Sequence, residues 1–162
     1  MYRSKRVIFL SHCILNQNTV VYPLARARGA YKRIVDTIME SGVGIHQLSC
    51  PEYKYLGLSR KPMNKEEYDV LEFRLICKDI AIDTIQVVRE YLDNDYEIIG
   101  IIGINQSPSC SIYGNQGVLM EELMKYCKVE GINIKTMDVS VDYSEDKDNI
   151  FDIEELTKFI GN

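Results

Sequence analysis

No apolar run in this chain approaches the ~20 residues needed to span a bilayer, and the amino terminus lacks the pattern of a signal peptide. Together these predict a cytosolic protein without a membrane partner. Basic stripes are missing too: the net charge is -5, which argues against a nucleic-acid partner. The only basic concentrations are Arg3, Lys5 and Arg6, and Arg26, Arg28, Lys32 and Arg33, both read as solvated faces. The turn after the first apolar run, SHCILNQN, has none of the spaced glycines of a phosphate-cradling loop, so nucleotide binding has no support. Histidine is scarce, with two residues, His12 and His46. Neither an internal repeat nor a linker interrupts the chain. The 162 residues, 46% of them apolar, predict one domain spanning 1–162 with a real core.

Cysteine is present in an odd number, five, and a reducing cytosol disfavours structural disulfides in any case. Cys77 and Cys127 lie in segments of helical periodicity, where a free cysteine packs as a small hydrophobe. The other three follow short apolar runs: Cys13 after VIFLSH, Cys50 after GIHQLS, and Cys110 in INQSPSC after EIIGIIG.

The pattern along the chain alternates strands with helices. Strands are predicted at Val7–Leu10, Val43–Leu48, Ile98–Ile104 and Ile132–Val139. The third is apolar on both alternating faces, as a strand covered on both sides is, and Gly100 and Gly103 allow close backbone approach. Helices are predicted over Pro23–Glu40, with Pro23 in its first turn and Gly42 after its end, and from about Asn64 to Leu92, with a bend or break near Lys78. Two more are predicted over Val118–Val129 and from a capping box at Asp152 and Glu155 through Ile160, the latter after a surface loop at 143–149. This order predicts a three-layer α/β sandwich of flavodoxin/Rossmann-like type, with a parallel four-stranded sheet ordered 2-1-3-4. In that order strands one and three leave a crevice at their carboxyl ends, flanked by Cys13 and Cys110, with Cys50 reaching in from the adjacent strand.

Three thiolates at one point suggest a metal or cluster site. Iron–sulfur clusters and structural zinc both take four ligands as a rule, and a fourth is not evident here. On a continuing strand, His12 points away if Cys13 points in, and His46 has no polar companion nearby; a hydrogen-bonded structural role suits both. A site with three protein ligands leaves an open position for a substrate atom. Glu52, two residues after Cys50, is a candidate proton carrier beside an apolar cluster; the plainer alternative is a surface salt bridge. Ser107 and Ser109 flank Pro108 in a fixed turn whose hydroxyls and amides can face inward, or Ser107 can simply cap that turn.

SHCIL around Cys13, CPEYKYLGLSRKP from Cys50, and INQSPSC with the following tyrosine and Gly114 resemble, in order and spacing, the three motifs of the 2-thiouracil desulfurase-like family. The resemblance implies a 4Fe-4S cluster held by Cys13, Cys50 and Cys110, one iron open to a substrate sulfur, and catalytic roles for Glu52 and Ser107. The chain departs from the family pattern at His12, where a small residue is usual, at Asn16 and Ser111, where glycine is usual, and in the separation of Arg60 from Pro62. These differences concern the substrate, so thiouracil itself is not assumed. The expected chemistry is non-redox desulfuration of a small thiolated molecule. Glu52 handles the water, Ser107 orients substrate or relays a proton, Ser11, Asn105 and Ser109 contribute hydrogen bonds, and sulfur leaves as sulfide or to an acceptor. A cluster-bearing sensor, a zinc protein with His12 or His46 as fourth ligand, and a flavodoxin-like scaffold with a decayed site are the alternatives.

Overall fold

A computed structural model describes residues 1–161 of the protein. Four parallel strands, β1 (Arg6–Leu10), β2 (Gly44–Gln47), β3 (Glu97–Ile104) and β4 (Thr136–Val139), pair in the order β2-β1-β3-β4. The helices are α1 (His12–Leu15), α2 (Lys32–Glu40), α3 (Pro51–Leu56), α4 (Lys65–Tyr68), α5 (Leu71–Asp93), α6 (Val118–Val129) and α7 (Ile150–Ile160). This is the three-layer α/β architecture that the alternating pattern predicts.

The alternation of β1 divides the core. Ile8 and Leu10 face one side and pack with Ile34 and Ile38 of α2 and Leu156 and Ile160 of α7. Val7 and Phe9 face the other and pack with Ala81, Ile85 and Val88 of α5 and Met120, Leu123 and Cys127 of α6. Burying such a side chain on either face stabilises the fold by roughly 1.5–3 kcal/mol, so the sheet is held from both sides. Pairing of β1 with β3 shifts register between Val7 and Ile8, the partners being Ile98 and Gly100. This bulge puts Ile98 and Ile101 on one face and Ile99 and Ile102 on the other. A side chain at Gly100 is impossible without rearrangement, because a Cβ there lies 2.3 Å from the Phe159 ring and 2.5 Å from the Lys135 carbonyl.

Several boundaries differ from the sequence pattern. The helix expected from Pro23 starts only at Lys32, because residues 20–31 are folded against α1 by long-range bonds. Gln17 N donates to Gly29 O at 2.5 Å, Arg26 N to Gln17 Oε1 at 2.8 Å and Tyr31 N to Ile14 O at 2.9 Å. Leu24, expected on the buried stripe of that helix, is 56% exposed. Gly42 does end α2 with positive φ, its N–H donating to Met39 O. The long helical pattern breaks at Asp69 and Val70, not at Lys78: Asn64 and Glu67 form a capping box for α4, and Val70 is extended before α5 runs unbroken for 23 residues. β4 starts at Thr136, not Ile132, since Gly131 and Ile132 are drawn back to the end of α6 by bonds to Lys128 O and Cys127 O. No capping box forms at Asp152; its carboxylate accepts from Ser140 N and Ser140 Oγ, both at 2.9 Å, and ties α7 to the loop after β4. Arg6 is not merely solvated, since it bonds Glu97 at 3.0 Å and the Ile160 carbonyl at 2.7 Å. Among the described residues, no helix is long and apolar enough to cross a membrane.

Candidate functional site

Each of the first three strands ends in a tight structure that carries a cysteine. β1 passes through Ser11 directly into α1, which holds Cys13. After β2, Cys50 is the N-cap of α3, with Pro51 at the first helical position, and its Sγ accepts from Tyr53 N at 3.4 Å. After β3 the SPSC turn is fixed by backbone bonds: Ile104 N donates to Cys110 O at 3.0 Å, and Val118 N and Met120 N at the start of α6 donate to Pro108 O and Ser109 O. Two glycines let the turn sit this close. A Cβ on Gly103 lies 2.3 Å from Cys110 O, and one on Gly117 lies 2.2 Å from Ser109 C and 2.6 Å from Cys110 N.

The three cysteines converge, as the strand order requires, on one cleft of about 340 Å³ that also holds Glu52, Arg60, Asn105 and Ser107. Roomier clefts of about 490 and 400 Å³ run along the β4 and β2 edges and contain no cysteine. All five cysteines are free thiols; Cys77 and Cys127 are buried in the cores against α6 and the sheet, as their periodicity indicates. Burial pushes the Cys13 thiol up to about 12, with the charges of Cys50 and Glu52 adding to the rise and Arg26 opposing it. Burial also raises Cys50, and raises Cys110 well above its ordinary value, with Cys13, Cys50 and Glu52 as further causes and a Ser11 hydrogen bond opposing. The thiols thus act on one another electrostatically, and a bound cation relieves that repulsion while displacing their protons.

Glu52 is the acidic group of the cleft. Its Oε2 accepts from Ser109 Oγ at 2.7 Å, and its Oε1 lies 3.5 Å from Arg60 Nε. Arg60 in turn staples two loops, donating to Gly57 O at 3.0 Å and to Thr19 O at 2.7 Å. Asn105 Nδ2 donates to Asp138 Oδ2 at 3.2 Å, while the Asp138 carboxylate also accepts from Ile112 N and Tyr113 N. Because a carboxylate only accepts, Asp138 fixes the amide orientation and leaves Asn105 Oδ1 as the free acceptor.

The expected site residues therefore divide. Cys13, Cys50, Cys110, Glu52, Asn105 and Ser107 line the cleft together. Ser107 Oγ accepts from Ser109 N at 3.3 Å and Cys110 N at 3.1 Å, so it caps the turn that carries Cys110 as well as facing the cleft. Ser109 and Ser11 are buried behind it, Ser109 against Glu52 and Ser11 donating to Ile102 O at 3.1 Å. His12 lines the cleft after all, because the chain turns into α1 there and strand alternation no longer applies. Its Nδ1 is 3.1 Å from Thr19 Oγ1, which itself donates to Asn16 O, so the ring donates at Nδ1 and keeps its lone pair at Nε2. His46 lies on the β2 edge beside the Phe9 ring and lines a different cleft.

Sequence reasoning missed Arg26, which is on no helix. Its Nη1 donates to the carbonyls of Ser140, Val141 and Tyr143, its guanidinium lies 5.5 Å from the Tyr31 ring centre, and it lines the cleft. It also missed Asp138, a single polar residue in a strand pattern that gives no signal until the fold brings it beside Asn105.

The donor set fits the cluster that the motif resemblance implies. Three free thiols from three strand ends face one cleft, and no fourth cysteine joins them among the described residues. Also among the described residues, no three His, Cys, Asp or Glu side chains are gathered as a single metal ion requires. A four-iron cluster distributes its thiolates over separate irons and does not need that closeness.

Over 158 residues the chain is 41% identical to "Uncharacterized protein MJ0003" of Methanocaldococcus jannaschii, an alignment covering 98% of this chain and 99% of the archaeal protein. The chain belongs to the family of that protein. The alignment with that protein runs nearly end to end, so the three cysteine-bearing strand ends of this chain fall within the aligned length. No family model matches the chain, and no solved structure matches it.

Proposed function

We propose that the protein is an iron–sulfur-dependent desulfidase that removes sulfur from a small thiolated molecule of thiocarbonyl or thionucleobase type. The observation that carries this reading is the convergence of Cys13, Cys50 and Cys110 on one cleft with a buried carboxylate, Glu52, beside them. The ordered motif resemblance supports the same chemistry. Bound by the three thiolates, a 4Fe-4S cluster supplies an iron without a protein ligand, a Lewis acid for a thiocarbonyl sulfur.

The net reaction adds water across the carbon–sulfur bond, C=S + H₂O giving C=O + H₂S, without oxidation or reduction. Glu52 takes a proton from the attacking water at Oε1, the oxygen not held by Ser109, and returns it to the departing sulfur. Ser109 and Arg60 hold the carboxylate so that little reorganisation accompanies the transfer. Asn105 Oδ1 accepts a hydrogen bond from an N–H of the substrate, its orientation set by Asp138. Ser107 keeps the Cys110 turn in place and offers its hydroxyl to the substrate. Val20, Val21, Leu24 and Met63 form an apolar wall that limits water to the reacting side. Five free thiols and an oxygen-sensitive group suit a reducing cytoplasm, with sulfide or a sulfur acceptor as the product route and no nucleic-acid or membrane partner.

The test is sulfide release from a panel of thioamides and thionucleobases under strict anaerobiosis. Stoichiometric sulfide and the corresponding carbonyl product are expected from at least one member. A cluster-bearing protein that binds and converts none of them favours sensing instead.

A further inference from the structure

Two side-chain acceptors in the cleft have no donor among the described residues. His12 Nδ1 is 3.1 Å from Thr19 Oγ1, whose only proton goes to Asn16 O at 2.8 Å. Thr19 Oγ1 therefore accepts from the ring, so the neutral imidazole carries its proton at Nδ1 and a lone pair at Nε2. Asn105 Nδ2 donates to Asp138 Oδ2 at 3.2 Å, which leaves Oδ1 as the second unpartnered acceptor. The buried side-chain nitrogens and oxygens that lack a partner are Arg60 Nε and Tyr68 Oη among the described residues. His12 Nε2 and Asn105 Oδ1 are thus not sealed in the core but open to the cleft that both residues line.

The two acceptors come from adjacent strand ends. Leu10 pairs with Ile102, Ser11 N donates to Ile102 O at 3.0 Å, and His12 and Asn105 follow at the ends of β1 and β3. Neighbouring strands run about 4.8 Å apart, so one small molecule reaches both. Each acceptor is also held in place. Thr19 is buried and its carbonyl accepts from Arg60 Nη2 at 2.7 Å, while the Asp138 carboxylate accepts from the amides of Ile112 and Tyr113.

We propose that His12 is a specificity-determining residue whose Nε2 accepts a hydrogen bond from a second N–H of the substrate, the first being taken by Asn105. The cleft thereby selects a small molecule with two N–H groups over one in which an oxygen or a substituted nitrogen replaces either. An oxygen in that place sets one lone pair against another, and an acceptor left unpaired after water has gone is the source of selectivity in such sites. That the bound molecule is thiolated rests on the desulfidase reading; the pair of acceptors does not.

The experiment is calorimetric binding of two probes of nearly equal shape to the anaerobically reconstituted protein at about pH 8, where imidazole is neutral. Imidazolidin-2-one has two N–H groups; in oxazolidin-2-one an oxygen replaces one of them. Wild type is expected to bind the cyclic urea about 10–100-fold more tightly. His12→Ala is expected to bind both about equally, because oxazolidin-2-one then turns its remaining N–H toward Asn105. Absent or equal binding of the two probes by wild type, or an undiminished preference in His12→Ala, overturns the proposal. So does a nitrogen hyperfine coupling from the His12 ring to the reduced cluster, since that lone pair is then on iron. No readout involves sulfur release, so failure of the desulfidase reading shows separately, in the sulfide assay.

Discussion

Ser109 Oγ donates to Glu52 Oε2 at 2.7 Å, joining residues 57 positions apart. The bond connects the helix that follows β2 to the turn that follows β3, so the carboxylate proposed to carry the proton and the turn proposed to bind the cluster are joined by a direct contact. It also separates the two serines around Pro108. Ser109 serves the carboxylate, whereas Ser107 serves the backbone of the turn.

Ser109→Ala therefore lowers the rate per bound iron while iron content stays near wild type, and it lowers stability by about 1–3 kcal/mol through the lost charge-assisted bond. Ser107→Ala has the opposite profile: iron content falls because the Cys110 turn loosens, and the rate per remaining iron changes less. Iron per chain and sulfide released per iron, measured on both variants, distinguish the two roles. Equal profiles contradict the division.

Glu52→Gln keeps the size of the side chain and removes its capacity to exchange a proton. Iron content is expected to hold while turnover falls ~10²–10⁴-fold, roughly 3–5 kcal/mol of barrier. The variant also leaves the buried Arg60 guanidinium without its counter-charge, so rates must be taken well below its melting temperature. Turnover at the wild-type rate shows that Glu52 is not the proton carrier.

Gly117→Ala forces a Cβ to within 2.2 Å of Ser109 C and 2.6 Å of Cys110 N, and backbone on both sides leaves no flexible atom to yield. Overpacking of this kind commonly costs about 1–3 kcal/mol. The expected outcome is a lower melting temperature with reduced iron content and an unchanged far-ultraviolet spectrum. Gly29→Ala is the control, since its Cβ meets nothing within 4 Å. Full iron loading in the Gly117 variant contradicts a dependence of the site on this contact.

Burial pushes the Cys127 thiol from its ordinary 9.0 up to about 11. In the unfolded chain the thiol ionises first, so this contribution to stability is fully present below pH 9.0 and is lost as pH rises toward about 11. At ~1.4 kcal/mol per pH unit the loss reaches about 2–3 kcal/mol. Cys127→Ala lowers stability at neutral pH and flattens the alkaline limb of the stability profile. Denaturant melts of both proteins between pH 8 and pH 11 check the difference in slope; parallel profiles rule it out.

The fold was legible because its signals are global. VIFL and EIIGIIGI are apolar on both alternating faces, and only a sheet covered on both sides uses such strands, so the layers, the strand order and the convergence of Cys13, Cys50 and Cys110 follow from the order of elements. Local boundaries were less legible where side chains outbid propensity. Leu24 and Ala27 sit at helical spacing, yet Gln17 and Gly29 hold that segment as a loop, a long-range bond that periodicity does not register. Asp152 looks like a cap but is taken by Ser140. The same limit applies at the site. Glu52 and Ser107 stand out by adjacency to cysteines, whereas Arg26 lines the cleft from a loop and Asp138 holds Asn105 from outside it, both in segments whose local sequence resembles any other loop or strand.

The central claim is that Cys13, Cys50 and Cys110 form one cluster-binding set, and iron with acid-labile sulfide measured on anaerobically reconstituted protein tests it most directly. Wild type, Cys77→Ser and Cys127→Ser are each expected to bind close to four irons and four sulfides per chain, whereas Cys13→Ser, Cys50→Ser and Cys110→Ser lose the cluster. A wild-type protein that takes up no iron, or an equal loss in Cys77→Ser, contradicts the account.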